Sequence, residues 1–162
     1  MRWLRHLFDF GRVQRAFPIA TLDAIQHAVA ASEHAHRGEI CFAVEGGLPL
    51  AALQRAITPR ERAEEVFARL RVWDTRENTG VLVYVQLADH AIEIVADRGI
   101  AAHIDAGEWQ RVCATMKDRF TAGEYEAGAV AAVAAIGALL EAHFPAAPGD
   151  NPDERPNRPV IL

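Results

Sequence analysis

Residues 80–99 constrain the fold more than any other part of the chain. They hold two runs of β-branched and aliphatic residues separated by a short polar break, a pattern typical of a β-hairpin. The first run, residues 81–85, is apolar at every position, so we expect both faces of that strand to be covered. The second run alternates, with Ile92 and Ile94 on one side and Glu93 on the other, which predicts a strand with one face more exposed to solvent.

A parallel strand is predicted ahead of this hairpin. Residues 39–45 read as a strand that Gly46 and Gly47 end. The helix after it has a capping box, in which Thr58 and Glu61 each accept a hydrogen bond from the other's backbone amide, with proline at the first helical position. This helix is a crossover long enough for the first two strands to run parallel, and we expect the connection to be right-handed.

Three further patterns predict helices that would cover this sheet. Thr21 can cap a helix over residues 21–36, because a short oxygen-bearing side chain accepts from amides of the first turn. Asp105 can cap another over residues 105–120 in the same way. A last, alanine-rich helix is expected over residues 124–143.

These elements predict a single α/β domain. Its expected core is a mixed β-sheet, a parallel βαβ unit plus an antiparallel hairpin strand, flanked by α-helices on both faces. The 162 residues have about the length of one domain. We divide the chain into an amphipathic N-terminal lead-in (residues 1–17), the α/β domain (residues 18–144) and a proline-rich extended C-terminal arm (residues 145–162), whose last apolar residues we expect to fold back.

Charge and cysteine content narrow the function classes. The net charge of −5 argues against a general nucleic-acid binder, whose surface would be basic. Cys41 and Cys113 have no CxxC or histidine spacing, so we predict reduced core thiols and neither a disulfide nor a zinc site. No stretch approaches the roughly 18 uninterrupted apolar residues of a spanning helix, and no signal-peptide pattern is present. We therefore expect a cytoplasmic protein without a transmembrane segment.

The N-terminal residues 1–15 are amphipathic and carry four arginines among apolar side chains. One interpretation is a lead-in helix that docks on the domain. The other is a basic amphipathic anchor that places the protein peripherally on the inner membrane. The sequence leaves both open.

The predicted strand directions bring distant polar residues to one end of the sheet. Asp74 and Asn78 precede the second strand, Asp97 follows the third, and Asp105 comes after a short loop. Carboxylate and amide oxygens at one rim can bind a hard cation, so we predict a Ca2+ or Mg2+ site formed by Asp74, Asn78, Asp97 and Asp105. The alternative is that these residues only cap helices and form turns. Other polar residues expected at the rim are His34, His36, Glu39, Glu77 and Glu108.

Several enzymatic chemistries lack the residues they need. Ser32 is the only serine, and it lies within a predicted helix and not in a nucleophile elbow. Gly46 and Gly47 follow a strand without the Gly, Lys and Ser/Thr of a phosphate-binding loop. The only lysine, Lys117, lies on an amphipathic helix, which offers little support for Schiff-base chemistry.

The ordered motifs resemble the TPM domain family. The similar segments are residues 78–85 and 92–100 around the hairpin, residues 120–128 with an aromatic, a Gly-Glu-Tyr and a second glycine, and the tail at residues 155–162. The tail is similar to that of a short bacterial branch. Asn78, Asp97 and Asp105 occupy motif positions, whereas Asp74 is added from strand geometry. The chain departs from the family pattern at residues 96–99, which replace a more glycine-rich turn.

The resemblance implies a mixed sheet sandwiched by helices and a range of functions. It implies divalent-cation binding and acid phosphatase activity for some members, and assistance to photosystem or respiratory complexes or ion channels for others. We therefore expect a cation-binding domain that engages a membrane-protein or respiratory-complex partner. The alternatives are a weak metal-assisted acid phosphatase, for which Arg76 and Arg98 flank the rim, and a peripheral membrane adaptor.

Overall fold

The computed structural model describes Leu4, His6, residues 11–148 and residues 153–162. Within these residues the helices are α1 (Arg12–Ala16), α2 (Ile19–Glu33), α3 (Leu50–Gln54), α4 (Pro59–Arg69), α5 (Arg98–Ala101), α6 (Ala106–Thr121) and α7 (Tyr125–His143). The strands are β1 (Glu39–Glu45), β2 (Gly80–Gln86), β3 (Ala91–Ala96) and β4 (Val160–Ile161).

The four strands form one mixed sheet in the order β3-β2-β1-β4. β1 and β2 run parallel, and β3 returns antiparallel to β2, which confirms the predicted fold class. Glu39 is paired with Gly80, and Val81 with Ala96. The first residues of β1 and β2 and the last residues of β3 therefore lie at the same end of the sheet, which we call the Gly80 end.

Side chains alternate along each strand, so apolar residues of the sheet stand on both of its faces. Helices cover both faces. On β2, Val81, Val83 and Val85 pack into the larger core with α2, α6 and α7. Leu82 and Tyr84 face the opposite side and pack into a smaller core against α4. All of these β2 side chains are buried, as the uninterrupted apolar run predicts.

A buried ion pair attaches α4 to the sheet. The guanidinium of Arg62 donates to both carboxylate oxygens of Glu45, at 3.0 and 2.6 Å, and the Tyr84 hydroxyl donates to the same carboxylate at 2.5 Å. The hydrogen bond to Glu45 raises the pKa of Arg62, and burial raises the pKa of Tyr84. The arginine therefore stays charged and the phenol neutral, so each is in the form that donates to the carboxylate.

Helix starts agree with the sequence at α4 and differ at α2. Both hydrogen bonds of the capping box between Thr58 and Glu61 are present. α2 begins at Ile19 after Pro18, two residues before the predicted cap. Thr21 lies inside the helix, buried, and its hydroxyl donates to Glu126 at 3.0 Å, so a partner on α7 replaces the expected capping role.

The C-terminal residues complete the sheet. Val160 is paired with Ala43, so β4 runs parallel to β1, and the Leu162 amide donates to the Val44 carbonyl at 2.9 Å. The proline-rich composition predicts an extended arm but does not predict strand pairing. Pro159 precedes an edge strand, where a missing amide hydrogen does not interrupt the sheet.

Most of the segment predicted as a membrane anchor lies outside the described residues. Of the part that is described, Val13 is buried in the larger core, Leu4 is exposed and His6 is buried. The His6 ring accepts from the Leu48 amide at 3.0 Å, at the end of the sheet opposite the Gly80 end. At least one residue of the N-terminal segment is therefore docked on the domain.

Among the described helices, α7 is the one long and apolar enough to cross a membrane. Its inward residues Ala129, Val133, Ile136 and Leu140 are fully buried, and it packs against α2 and α6. A core helix of a globular domain passes the same test, so its length and composition are weak support for a membrane span.

Candidate cation site at the Gly80 end

Asp97 is placed by the end of β3 and the start of α5. Its amide donates to the Gly80 carbonyl at 2.9 Å, which continues the β2–β3 pairing by one residue. Its Oδ1 accepts from the Arg98 amide at 2.8 Å and caps α5. The residue is 8% exposed, and Oδ2 is buried with no hydrogen-bond partner among the described residues. The two oxygens of this carboxylate therefore differ: one caps a helix and the other has no hydrogen-bond partner among the described residues.

Asn78 contacts the segment that follows Asp97 through its backbone. Its φ of 55° is left-handed, a conformation that asparagine tolerates better than most residues. The Gly99 amide donates to its carbonyl at 3.1 Å. A Cβ on Gly99 would lie 2.5 Å from the Asn78 carbonyl oxygen and 2.6 Å from that of Glu77, so the close approach requires glycine. The structure thus places the Asn78 carbonyl against Gly99, two residues after Asp97.

Asp74 and Asp105 have partners of their own. Asp74 is exposed and pairs with Arg71 at 2.8 Å. Asp105 is exposed and accepts from the Gly107 amide at 3.0 Å as the cap of α6. Their contacts match the capping and turn roles that the sequence left open.

A different carboxyl cluster forms nearby. Oxygen atoms of Glu33, Glu39 and Asp153 lie within 4.8 Å of one another. Both oxygens of Glu39 already accept amides of the C-terminal arm, from Glu154 at 3.1 Å and from Arg155 at 3.2 Å. We interpret this group as an anchor for the arm. Glu39 was predicted at this end of the sheet. Its proximity to Glu33 and Asp153 could not be predicted from the sequence, because it depends on the path of the C-terminal arm.

Burial changes the acidity of this cluster. Desolvation raises the pKa of Glu33 to about 8 and that of Glu39 to about 7, and the nearby Asp153 carboxylate adds to both shifts. Each shift is opposed by backbone amides that donate to the carboxylates. The cluster therefore takes up protons near neutral pH.

The two cysteines are free and half-buried. Burial raises the pKa of both Cys41 and Cys113 to about 11, so both are neutral thiols at physiological pH. Both side chains are unpaired thiols in this structure.

A groove of about 610 Å³ lies next to the candidate site, along the free side of β3. Its wall includes Ala96 and Ala106, the direct chain neighbours of Asp97 and Asp105, together with Trp109. The Arg60 guanidinium also lines it and donates to the Ile94 carbonyl at 2.6 Å. The groove and the candidate cation site therefore share one segment of chain, residues 96–106.

The comparisons with known proteins agree with the motifs and the sheet topology. The sequence profile of the TPM domain matches residues 15–139. The chain belongs to the TPM domain family. Its structure is similar to the NMR structure of the BA42 protein from the psychrophilic bacterium Bizionia argentinensis, with a TM-score of 0.78 and 27% sequence identity, covering 88% of this chain and 93% of that one. The comparison with curated proteins finds no match.

Proposed function

We propose that this TPM domain binds a divalent cation, Ca2+ or Mg2+, at Asp97 and that the loaded Gly80 end engages a protein or membrane-protein partner. The observation that carries the proposal is the buried Oδ2 of Asp97, which has no hydrogen-bond partner among the described residues. A buried polar atom without a partner is costly, so its retention favours a ligand at that atom.

The surrounding atoms fit a hard cation. Ca2+ and Mg2+ take carboxylate, carbonyl and amide oxygens, and the carbonyls of Glu77 and Asn78 lie beside Gly99, two residues from Asp97. Asp74 would join these oxygen ligands only by giving up its ion pair with Arg71. Asp105 would join them only by giving up its role as the cap of α6. Asp97 and Asn78 are accordingly the central residues of the proposed site, and Asp74 and Asp105 are its outer ones.

The partner is proposed for the groove along β3. Because residues 96–106 contribute both to the groove and to the candidate site, a cation there would stiffen one wall of the groove. The expected partner class remains a membrane protein or a respiratory complex, as the family resemblance implies.

Thermal unfolding with and without cation tests the binding proposal. Wild-type protein should gain stability in Mg2+ or Ca2+, by about 2.7 kcal/mol when the cation is at 100 times its Kd. Asp97→Asn should lose this gain while keeping its fold, since asparagine caps a helix as well as aspartate does. Asp118→Asn, an exposed residue on α6, removes the same charge and should respond like wild type. A full response in Asp97→Asn, or none in wild type with either cation, would contradict the proposal.

A metal-assisted acid phosphatase is the second candidate. It is favoured by two exposed arginines, Arg76 and Arg98, which flank Asn78 and Asp97 and could bind phosphoryl oxygens. A bound cation would supply Lewis-acid polarisation of the phosphoryl group. Hydrolysis of p-nitrophenyl phosphate that depends on cation and is lost in Asp97→Asn would support it. Absence of turnover with every cation, alongside a normal thermal response, would exclude the phosphatase and leave the binding proposal intact.

A further inference from the structure

β3 is an edge strand, and its free edge lines the groove next to the candidate site. The Asp97 amide donates to the Gly80 carbonyl, so these two residues form a bonded pair of the antiparallel ladder. Bonded and non-bonded pairs alternate along such a ladder, so the amides and carbonyls of Ile92, Ile94 and Ala96 point away from β2. Three residues of β3 therefore present main-chain groups on its free side.

The middle residue of this edge has intramolecular partners that another chain can replace. The Ile94 carbonyl accepts from Arg60 at 2.6 Å, and the Ile94 amide lies against the Cys113 sulfur. The Arg60 side chain is 50% exposed and a thiol is a weak acceptor, so both contacts can yield to a main-chain partner. On either side, the edge groups of Ile92 and Ala96 have no hydrogen-bond partner in the part of the chain that the structure describes.

The lining beside β3 changes in character along the strand. Toward the Gly80 end it is apolar, with Ile104 and Trp109. Toward the hairpin turn, a second cavity of about 290 Å³ shares Ile92 and Cys113 with the groove and is lined by Lys117. The groove therefore continues along the whole free edge, from an apolar end to a charged one.

The charges along the groove favour a ligand that carries a carboxylate. The Arg60 guanidinium lies 3.8 Å from the Glu93 carboxylate, and the Asp89 carboxylate lies 3.1 Å from a ring nitrogen of His6. Lys117 is the only lysine of the chain, and it has no ion-pair partner among the residues described. A carboxylate supplied by a ligand would complement this ammonium group.

We propose that this groove binds an extended peptide segment of the partner, which joins the sheet as a strand beside β3 and brings an acidic side chain to Lys117. The main chain of the segment pairs with Ile92, Ile94 and Ala96, as in other cases of strand addition to a sheet edge. A small apolar side chain of the segment packs near Trp109. Peptide binding here rests on the proposed function, which assigns the groove to a partner, but it does not require a bound cation.

Selection from a phage-displayed library of random heptapeptides tests this binding mode. Immobilised wild-type protein in EDTA should enrich peptides with alternating apolar or β-branched residues and at least one carboxylate. The most enriched peptide, synthesised and titrated into the protein, should shift the amide signals of Ile92, Ile94 and Ala96. Methylation of alternate backbone nitrogens of that peptide should weaken binding about tenfold, because it removes the donors of the ladder.

Two matched pairs of variants locate the binding site. Ala101→Tyr fills the groove and should abolish binding, whereas Ala102→Tyr changes an exposed neighbour outside the lining and should not. Lys117→Gln should weaken binding of the acidic peptide about threefold and leave binding of its glutamine version unchanged. Arg111→Gln, at another exposed position of α6, should affect neither peptide.

The outcomes separate strand addition from the cation site. No enrichment above the empty support, or a selected peptide that shifts amide signals only outside β3 and α6, would overturn the strand proposal. A wild-type dimer that Ala101→Tyr dissociates would also overturn it, because a second copy would then cover the groove. Thermal unfolding with Mg2+ or Ca2+ is measured on the same samples. A normal cation response without peptide binding contradicts strand addition alone, and peptide binding without a cation response contradicts the cation site alone.

Discussion

The two carboxylate oxygens of Asp97 serve different purposes. Oδ1 caps α5 through the Arg98 amide, while Oδ2 is buried without a hydrogen-bond partner among the described residues. Asparagine would preserve the cap but not the charge. A residue that only capped a helix would not need the second, buried anionic oxygen, which is why Asp97 carries the functional proposal.

Other residue-scale features depend on contacts that no local pattern encodes. Arg62 and Glu45 are 17 positions apart, and their pairing depends on how α4 packs against β1. Lysine and arginine are almost never fully buried unless paired, so the partner has to be known before the burial can be predicted. Asp97 and Asn78, by contrast, lie next to strand ends, and the strand directions alone place them at the same end of the sheet.

The ion pair between Arg62 and Glu45 gives a stability prediction. Arg62→Met keeps most of the apolar stem but leaves the Glu45 carboxylate buried without its cation, so the free energy of unfolding should fall by about 3–5 kcal/mol. Urea unfolding measures this loss. Arg111→Met, which breaks an exposed pair with Glu108, is the matched control and should cost at most about 1 kcal/mol. Equal losses in the two variants would show that the buried pair contributes no more than a surface one.

Elements with strong local signals could be predicted from the sequence. The hairpin, β1 and α4 follow from alternation, glycine stops and the capping box, and the structure confirms each of them. The pairing of β4 could not be predicted, because two strand residues after a proline-rich segment carry almost no periodic signal. α5 is a single helical turn capped by Asp97. In the sequence, residues 97–99 fit a simple turn equally well, so this helix could not be predicted.

The capping box at α4 supports a prediction at the element scale. Thr58→Ala removes the side-chain oxygen that accepts from the Glu61 amide at 3.2 Å, so unfolding should become easier by about 1 kcal/mol. Urea denaturation of both proteins gives the difference. Thr115→Ala, at an exposed position inside α6, should be neutral or slightly stabilising because alanine is the better helix former. A neutral Thr58→Ala variant would mean that α4 is fixed by packing alone.

Two buried titratable groups oppose each other in the stability of the whole molecule. Burial lowers the pKa of His36 from 6.5, so its contribution is present above that value and is lost as pH falls through the lowered one. Burial raises the pKa of Glu33 to about 8, so its contribution is present below 4.5 and is lost as pH rises through the raised value.

Glu39, whose pKa burial raises to about 7, loses its contribution over the same range as Glu33, so two carboxyl groups outweigh the one imidazole. Global stability should therefore decline as pH rises from about pH 5 to about pH 9. The urea midpoint, measured at intervals up to about pH 9, should decline on the alkaline side. Glu33→Gln should flatten that decline and leave the acidic side unchanged. A midpoint that rises steadily from mildly acidic to alkaline pH would contradict the role assigned to the buried carboxyl groups.

At the scale of the whole chain, the fold could be predicted more completely than the candidate site. Strand directions fixed which end of the sheet would hold Asn78 and Asp97, and the register bears this out. The contacts of Asp74 and Asp105 could not be predicted, because an exposed aspartate near a helix end can cap, pair or bind with small differences in free energy.

The most direct test of the account is a titration of the folded protein with Mg2+ and Ca2+ followed by amide correlation spectra. The account predicts that the largest shifts fall on Asn78 and on residues 97–99, and that Asp97→Asn abolishes them. Shifts confined to Glu33, Glu39 and Asp153, or no shifts with either cation, would contradict it.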